Sequence, residues 1–165
     1  MSTTPQGFNA DQRAKDRAAL PIVIGEVTFV KRRSTNELQR QLQRLAREQA
    51  RINRRQEQHG DLIDALDAMT PDEDEIKRLQ QITSLDTRDV ETVIDKLDEL
   101  GEEARVLTYK MIDAQLRHSD SDESPTVEFL EEHLDAEDVM PLVRYLSGQP
   151  ADPTPPTTTT EATSG

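Results

Sequence analysis

The sequence predicts a mainly α-helical fold: a small helical domain with one N-terminal β-hairpin and disordered N- and C-terminal tails. Apolar residues recur at steps of three and four through most of residues 34–148, which is the period of a packed helix face. Only residues 20–33 have a β-like composition. Hydrophobic residues make up 33% of the chain and charged residues 32%, so we expect a thin core that leaves the ends unpacked.

Both ends of the chain are polar and lack apolar periodicity. We expect a disordered N-terminal arm at residues 1–19 and a disordered Pro/Thr tail at residues 149–165, because such compositions bury too little apolar surface to offset the entropy of ordering. The β-hairpin and the helices then form one domain over residues 20–148.

The β-like segment reads LPIVIGEVTFVKRR and contains a candidate two-residue turn at Gly25-Glu26. Glycine at the first central position is typical of a hairpin turn. Four apolar residues then share one face, paired as Ile24 with Val27 and Ile22 with Phe29. A lone hairpin is marginal in water, so this face must cover a helix or another subunit. One bent extended strand is the alternative.

Residues 34–58, STNELQRQLQRLAREQARINRRQEQ, are predicted to form a helix with two opposed faces. The packing face carries, at steps of four and three, Leu38, Leu42, Leu45, Gln49, Ile52 and Gln56. We call its first three members the leucine stripe. The arginine stripe follows two residues later, at about 200° around the helix, and consists of Arg40, Arg44, Arg47, Arg51 and Arg54. These two stripes are the candidate partner-binding residues.

The ends of this basic helix have recognisable signals. Ser34, Thr35 or Asn36 can cap its start, and Ser34 with Glu37 matches the spacing of a capping box. His59-Gly60 is a predicted stop. The two glutamines on the packing face predict a seam that is not dry throughout, or one that specifies a register.

The next segments read as a short helical stretch at residues 61–69 and a second short helix after Thr70-Pro71, with Thr70 as N-cap and Pro71 at the first helical position. Residues 72–75 place four acids in that first turn, where the helix dipole favours them. Residues 85–118 carry the longest helical pattern, in which Gly101 could cause a break.

A final helical pair is predicted after Pro125-Thr126, over VEFLEEHL and AEDVMPLVRYL. Pro141 must lie in the first turn of the second helix or kink it, since it lacks the N–H of a helix interior. Ser147-Gly148 is expected to end that helix.

No pattern of catalytic chemistry is present, so the sequence predicts a protein that is not an enzyme and has no cofactor. There is no cysteine, which excludes disulfides and thiolate metal sites. The three histidines are widely separated and are predicted to be surface residues rather than a metal site. The acids at 120–123 lack the spacing and central glycine of an EF-hand, and no phosphate-binding loop or nucleophile motif occurs.

Charge is distributed unevenly along the chain. Residues 1–59 carry 12 Lys and Arg against 6 Asp and Glu, whereas residues 60–165 carry 8 against 27. The arginine stripe could therefore be a solvated face, pair with the acidic helices of the same chain, bind an acidic protein, or bind phosphates of a nucleic acid. The longest apolar run, residues 18–24, is too short for a membrane span, so we expect a soluble, cytoplasmic protein without membrane contact.

The order of these parts resembles the tail assembly chaperones of long-tailed, siphovirus-like bacteriophages that infect actinobacteria. The resemblance covers residues 20–148 and rests on the β segment leading into KRRSTNELQR, the Arg-rich and acidic helices, VEFLEEHLDAEDVMPLVRYLSG and the Pro/Thr end. It implies a non-enzymatic protein of the infected host cell that is absent from the mature virion. Its implied partners are the tape measure protein, which it keeps soluble, and the tail tube protein, whose assembly it assists.

Family members are often made in two forms by ribosomal frameshifting, and the present chain would suit the shorter form. Two other functions fit the residues. One is a nucleic-acid-associated packaging or regulatory protein that uses the arginine stripe. The other is a helical scaffold or coiled-coil adaptor that assembles with itself through the leucine stripe.

Overall fold

A computed structural model describes residues 21–148 and is mainly helical, as predicted. Helices occupy 67% of this part. The strands are β1 (Ile22–Ile24), β2 (Val27–Lys31) and β3 (Leu116–His118), and the helices are α1 (Asn36–Leu66), α2 (Glu73–Thr83), α3 (Val90–Gln115), α4 (Val127–His133) and α5 (Ala136–Leu146). The predicted tails at 1–19 and 149–165 lie outside the described residues.

The chain divides into two compact units. Within the described residues, the sheet unit comprises 21–33 and 115–148, and the helical unit comprises Ser34–Ala114. The sheet unit contains the three strands with α4 and α5, and the helical unit contains α1, α2 and nearly all of α3.

The sheet unit begins with the predicted β-hairpin, and its register is confirmed. β1 and β2 are antiparallel, with Ile24 opposite Val27 and Ile22 opposite Phe29. Gly25 has a φ of +61°, as the first central position of a type II′ turn requires. Phe29 is fully buried whereas Val23, on the other face, is 64% exposed. The alternative of one bent strand is therefore wrong.

A third strand was not predicted. The helical pattern expected to run to residue 118 ends with α3 at Gln115, and β3 pairs antiparallel with β2. Leu116 lies opposite Lys31 and is fully buried. β3 forms hydrogen bonds with backbone groups that would otherwise be unpaired at the edge of β2. These bonds outweigh the local preference for helix. The prediction that residues 20–33 are the only β segment is thus wrong.

Arg32 fastens this third strand to the loop that follows it. Its Nε donates a hydrogen bond to the carbonyl oxygen of Leu116 at 3.0 Å, and its Nη2 donates to Ser124 Oγ at 2.9 Å and to the carbonyl oxygen of Asp122. The acidic loop at 119–124 is therefore held by an arginine.

Four rings link the sheet to α4. The centroid of Phe29 lies 4.8 Å from that of His118 and 5.5 Å from that of Phe129, and the Phe129 ring stacks on His133 at 4.3 Å. Thr126 caps α4 by accepting a hydrogen bond from the Phe129 backbone N–H. The apolar face of the hairpin is thus covered by a helix of the same unit, which is one of the two predicted arrangements.

The last helix, α5, contains Pro141 as its sixth residue rather than in its first turn. The helix therefore lacks the hydrogen bond that an N–H at this position would donate one turn back. Ser147 is the C-cap, and the next residue, Gly148, has a φ of +72°, so the predicted end of the helix is confirmed.

In the helical unit, α1 runs for 31 residues and does not stop at Gly60. The predicted stop is wrong because Leu62 and Leu66, in the turns after Gly60, pack in the core. A glycine in a helix interior costs about 1 kcal/mol, which this packing offsets. The stretch at 61–69 is therefore mostly the end of α1 and not a separate helix.

Thr35 is the N-cap of α1 and accepts a hydrogen bond from the Leu38 backbone N–H at 3.1 Å. The capping box predicted from Ser34 and Glu37 does not form, since Ser34 Oγ accepts instead from the side chain of Gln39. Thr35 was one of the three predicted caps.

The second helix starts later than predicted. Asp72, and not Thr70, is the N-cap of α2, and its carboxylate accepts hydrogen bonds from the backbone N–H groups of Asp74 and Glu75. Three acids then occupy the first turn, as the helix dipole favours. A carboxylate accepts two such bonds at once, so it is the better cap for this turn.

Two apolar clusters hold the helical unit together. One contains the buried residues Leu62, Leu79 and Val93 from its three helices. The other contains Ile52, Leu100 and Leu107, with Leu45 and Ala104 packed against them. From the first cluster to the second, the residue numbers fall along α1, from 62 to 52, and rise along α3, from 93 to 107. These two helices therefore run antiparallel. Gly101 does not interrupt α3, since the helix continues from Val90 to Gln115.

We expect two glycine substitutions to have opposite effects. At Gly25, a Cβ would meet His133 Cδ2 at 3.0 Å in a backbone with φ of +61°, so Gly25→Ala should lower the free energy of unfolding by about 1–3 kcal/mol. At Gly60, a Cβ would meet nothing within 4 Å, so Gly60→Ala should raise it by about 0.5–1 kcal/mol. Urea unfolding followed by circular dichroism measures both, and equal effects would contradict the assigned backbone at Gly25.

Candidate partner-binding surface

The leucine stripe of α1 is only partly covered. Leu38, Leu42 and Leu45 are all half-buried. The buried residues of α1 are Ile52, His59 and Leu62, all in its second half. Leu45 packs against the cluster that contains Ile52, so the packing face enters a core from Leu45 onward, while Leu38 and Leu42 leave apolar surface accessible to a further helix.

The packing face also carries the two glutamines in its half-buried part. Gln49 is half-buried, and its Nε2 donates a hydrogen bond to Asn53 Oδ1 at 3.1 Å. Its Oε1 is buried without a hydrogen-bond partner among the described residues. Gln56 lies against Gly101, since a Cβ at that glycine would be 4.0 Å from Gln56 Nε2.

Every member of the arginine stripe is exposed. Arg40 and Arg44 lie 3.9 Å and 3.8 Å from carboxylate oxygens of Glu37 on their own helix. These pairs are about three-quarters exposed, so each contributes little to stability. Within residues 21–148, Arg47, Arg51 and Arg54 form no ion pair.

The acidic helices pair instead with arginines outside the stripe. Glu73 accepts hydrogen bonds from Arg88, Glu75 from Arg78, and Glu102 from Arg105. In each case the hydrogen bond with the guanidinium lowers the pKa of the carboxyl group below its ordinary value. Pairing of the stripe with the acidic helices is therefore not found in the described part of the chain, and the solvated face and the anionic partners remain.

A shallow groove between α1 and α3 was not predicted. It has a volume of about 360 Å³. Its floor contains Ile52, Val106 and Leu107, and its rim contains the charged residues Glu48, Arg51, Arg55, Glu103 and Lys110. Sequence periodicity places Ile52 and Arg51 on α1, but it does not show which residues of α3 lie opposite them.

The three predicted surface histidines differ in burial. His59 is only 3% exposed, and its Nδ1 lies 2.6 Å from the carbonyl oxygen of Arg55, so the surface prediction is wrong for this residue. His59 lies three residues after Gln56, a spacing that places it on the packing face of the helix. His118 is half-buried and His133 is exposed. Among the residues that the structure describes, no group of three or more metal-ligating side chains occurs.

None of the helices described between residues 21 and 148 is both long and apolar enough to cross a membrane. Comparisons with protein-family models, curated proteins and solved structures found no match to this chain.

Proposed function

We propose that this protein is a tail assembly chaperone of a long-tailed actinobacteriophage. It binds the tape measure protein in the cytoplasm of the host cell and assists assembly of the tail tube, without catalysing a reaction. The observation that carries this proposal is the partly covered leucine stripe on the first turns of α1. The order of sequence elements described above supports the choice of family.

A tape measure protein, as the resemblance implies, is long and helical and exposes amphipathic helices until the tube surrounds it. Leu38 and Leu45 are seven residues apart, which is about 10 Å along a helix. This length matches two turns of a second helix, which would place an apolar residue over each turn. Fully burying an exposed leucine contributes about 1.5–3 kcal/mol, and each half-buried leucine of the stripe would add the fraction of this that its remaining exposed surface represents.

Co-expression with the neighbouring tape measure gene tests the proposal. The wild-type chain should raise the soluble fraction of the tape measure protein and co-purify with it. The double variant Leu38→Asp/Leu42→Asp should lose most of both effects, because charged side chains cannot be buried against an apolar helix face. The measurement is the amount of tape measure protein in the soluble fraction and in the affinity eluate.

The control variant is Met69→Asp, which changes a fully exposed apolar residue in the loop after α1. It should behave as wild type. Unchanged solubility of the tape measure protein with wild-type chain present, or equal co-purification with all three chains, would contradict the proposal. Circular dichroism of each variant shows whether α1 is retained.

Binding to nucleic acid is the second candidate, favoured by the exposed guanidinium groups of Arg47, Arg51 and Arg54, which form no ion pair within the described part. Such binding would weaken steeply with salt. DNA binding at two salt concentrations, with wild type and with Arg44, Arg47 and Arg51 changed to alanine, separates this candidate from the first. A self-assembling scaffold would instead form concentration-dependent oligomers, lost in Leu42→Asp/Leu45→Asp.

A further inference from the structure

We propose that the groove between α1 and α3 binds an amphipathic helix of the partner whose apolar face is flanked by acidic residues. The inference rests on the proposed role of the protein in binding a helical partner. It adds a second contact region beyond the leucine stripe and states the charge that the partner helix must carry.

The floor of the groove can receive an aliphatic side chain. Ile52 and Leu107 belong to one buried cluster and are 8% and 6% exposed, and Val106 beside them is half-buried. The groove, about 360 Å³ in volume, is small compared with a whole helix and can admit side chains. A docked helix would therefore lie across the opening and insert an apolar residue, as in helix-in-groove recognition.

The rim of the groove determines the charge of its occupant. Three cationic residues, Arg51, Arg55 and Lys110, surround the floor together with two anionic residues, Glu48 and Glu103. None of these five side chains forms an ion pair with another residue in the described part of the chain. The surplus of positive charge over an apolar floor complements a helix with carboxylates beside its apolar residues.

The surroundings of the groove extend this preference. Arg47 and Arg54 lie on the same helix as Arg51 and are exposed, but they do not line the groove. They add to the positive potential that attracts an acidic partner without contacting a helix that lies across the opening of the groove. This difference provides matched variants: two arginines of α1 at the groove and two away from it.

Two labelled helical peptides of about 21 residues, or three heptads, serve as probes. Both carry leucine at the a and d positions of each heptad. One carries glutamate at the flanking e and g positions, and the other carries lysine there. Fluorescence anisotropy with the full chain measures their dissociation constants near physiological salt. The variants are Arg51→Glu/Arg55→Glu for the groove and Arg47→Glu/Arg54→Glu as the control with the same change in net charge.

We expect wild type to prefer the glutamate peptide over the lysine peptide. The groove variant should bind the glutamate peptide on the order of tenfold more weakly and should gain affinity for the lysine peptide. A gain in the groove variant but not in the control variant, which has the same change in net charge, reports the groove itself and keeps the test informative if the groove variant is less stable. The control variant should change the affinity by about twofold or less, since exposed charges away from the contact are screened.

Equal losses in the two variants would overturn the groove as the site, because they would show attraction by the arginine face as a whole. A wild-type preference for the lysine peptide would overturn the inferred charge. The co-expression experiment separates this inference from the proposed function. If the groove variant still co-purifies with the tape measure protein as wild type does, the groove inference fails while the proposed function stands. If wild type does not co-purify at all, the proposed function fails.

Discussion

Replacing Phe29 with alanine should lower the free energy of unfolding of the sheet unit by about 3–5 kcal/mol. Phe29 is fully buried and contacts both the His118 and the Phe129 rings, so its removal leaves a cavity between β2, β3 and α4. Hydrogen exchange of the backbone amides in the strands, together with urea unfolding followed by circular dichroism, measures the loss.

Val23→Ala is the matched control for this substitution, because Val23 lies on the opposite face of the same hairpin and is 64% exposed. It should cost less than about 1 kcal/mol. A cost for Phe29→Ala no greater than that for Val23→Ala would show that the two faces of the sheet have been assigned the wrong way round.

Leu62→Ala should destabilise the helical unit by about 2–5 kcal/mol. Leu62 is fully buried in the cluster with Leu79 of α2 and Val93 of α3, so all three helices contribute a side chain to it. Its loss leaves a cavity that three rigid helices cannot close without moving together. The midpoint of urea unfolding should fall accordingly, and the exchange of amides in α2 should accelerate most, since α2 is the shortest of the three helices.

Ile82→Ala provides the comparison within the same unit. Ile82 is in α2 but 42% exposed, so its truncation should cost only a fraction of the Leu62 value. If the two substitutions destabilise the protein equally, the cluster is not the core of this unit. Both variants keep Gly60 in place, so the continuity of α1 is not altered by either.

The features that could be predicted from the sequence depend on neighbours within a few residues. The hairpin register follows from the turn at Gly25-Glu26 and from the alternation of inward-facing and outward-facing residues in the strands on either side of it. Both signals lie within a few residues of each other. The two stripes of α1 follow from helical periodicity alone. Periodicity alone therefore places the arginines and the leucines of the candidate site on opposite faces of α1.

The features that could not be predicted depend on residues far apart. Leu116 follows α3 with apolar spacing that a helix could continue. It lies in a strand instead because β3 pairs with the edge of β2. The residues around Gly60 predict the end of a helix. The helix continues because the turn that follows Gly60 packs in the core. The groove forms because Ile52 of α1 and Leu107 of α3 belong to one cluster. The periodicity of either helix alone does not show which residues of the other helix lie against it.

The pairing of β2 with β3 makes the helical unit an insertion between two neighbouring strands. The backbone N–H of Arg32 donates a hydrogen bond to the carbonyl oxygen of Gln115 at 2.7 Å, so the chain leaves the sheet unit and returns to it at almost the same point. During synthesis the ribosome must complete the whole insertion before β3 can close the sheet. Until then β2 has an open edge, and helices that fold first shorten the loop that must be closed.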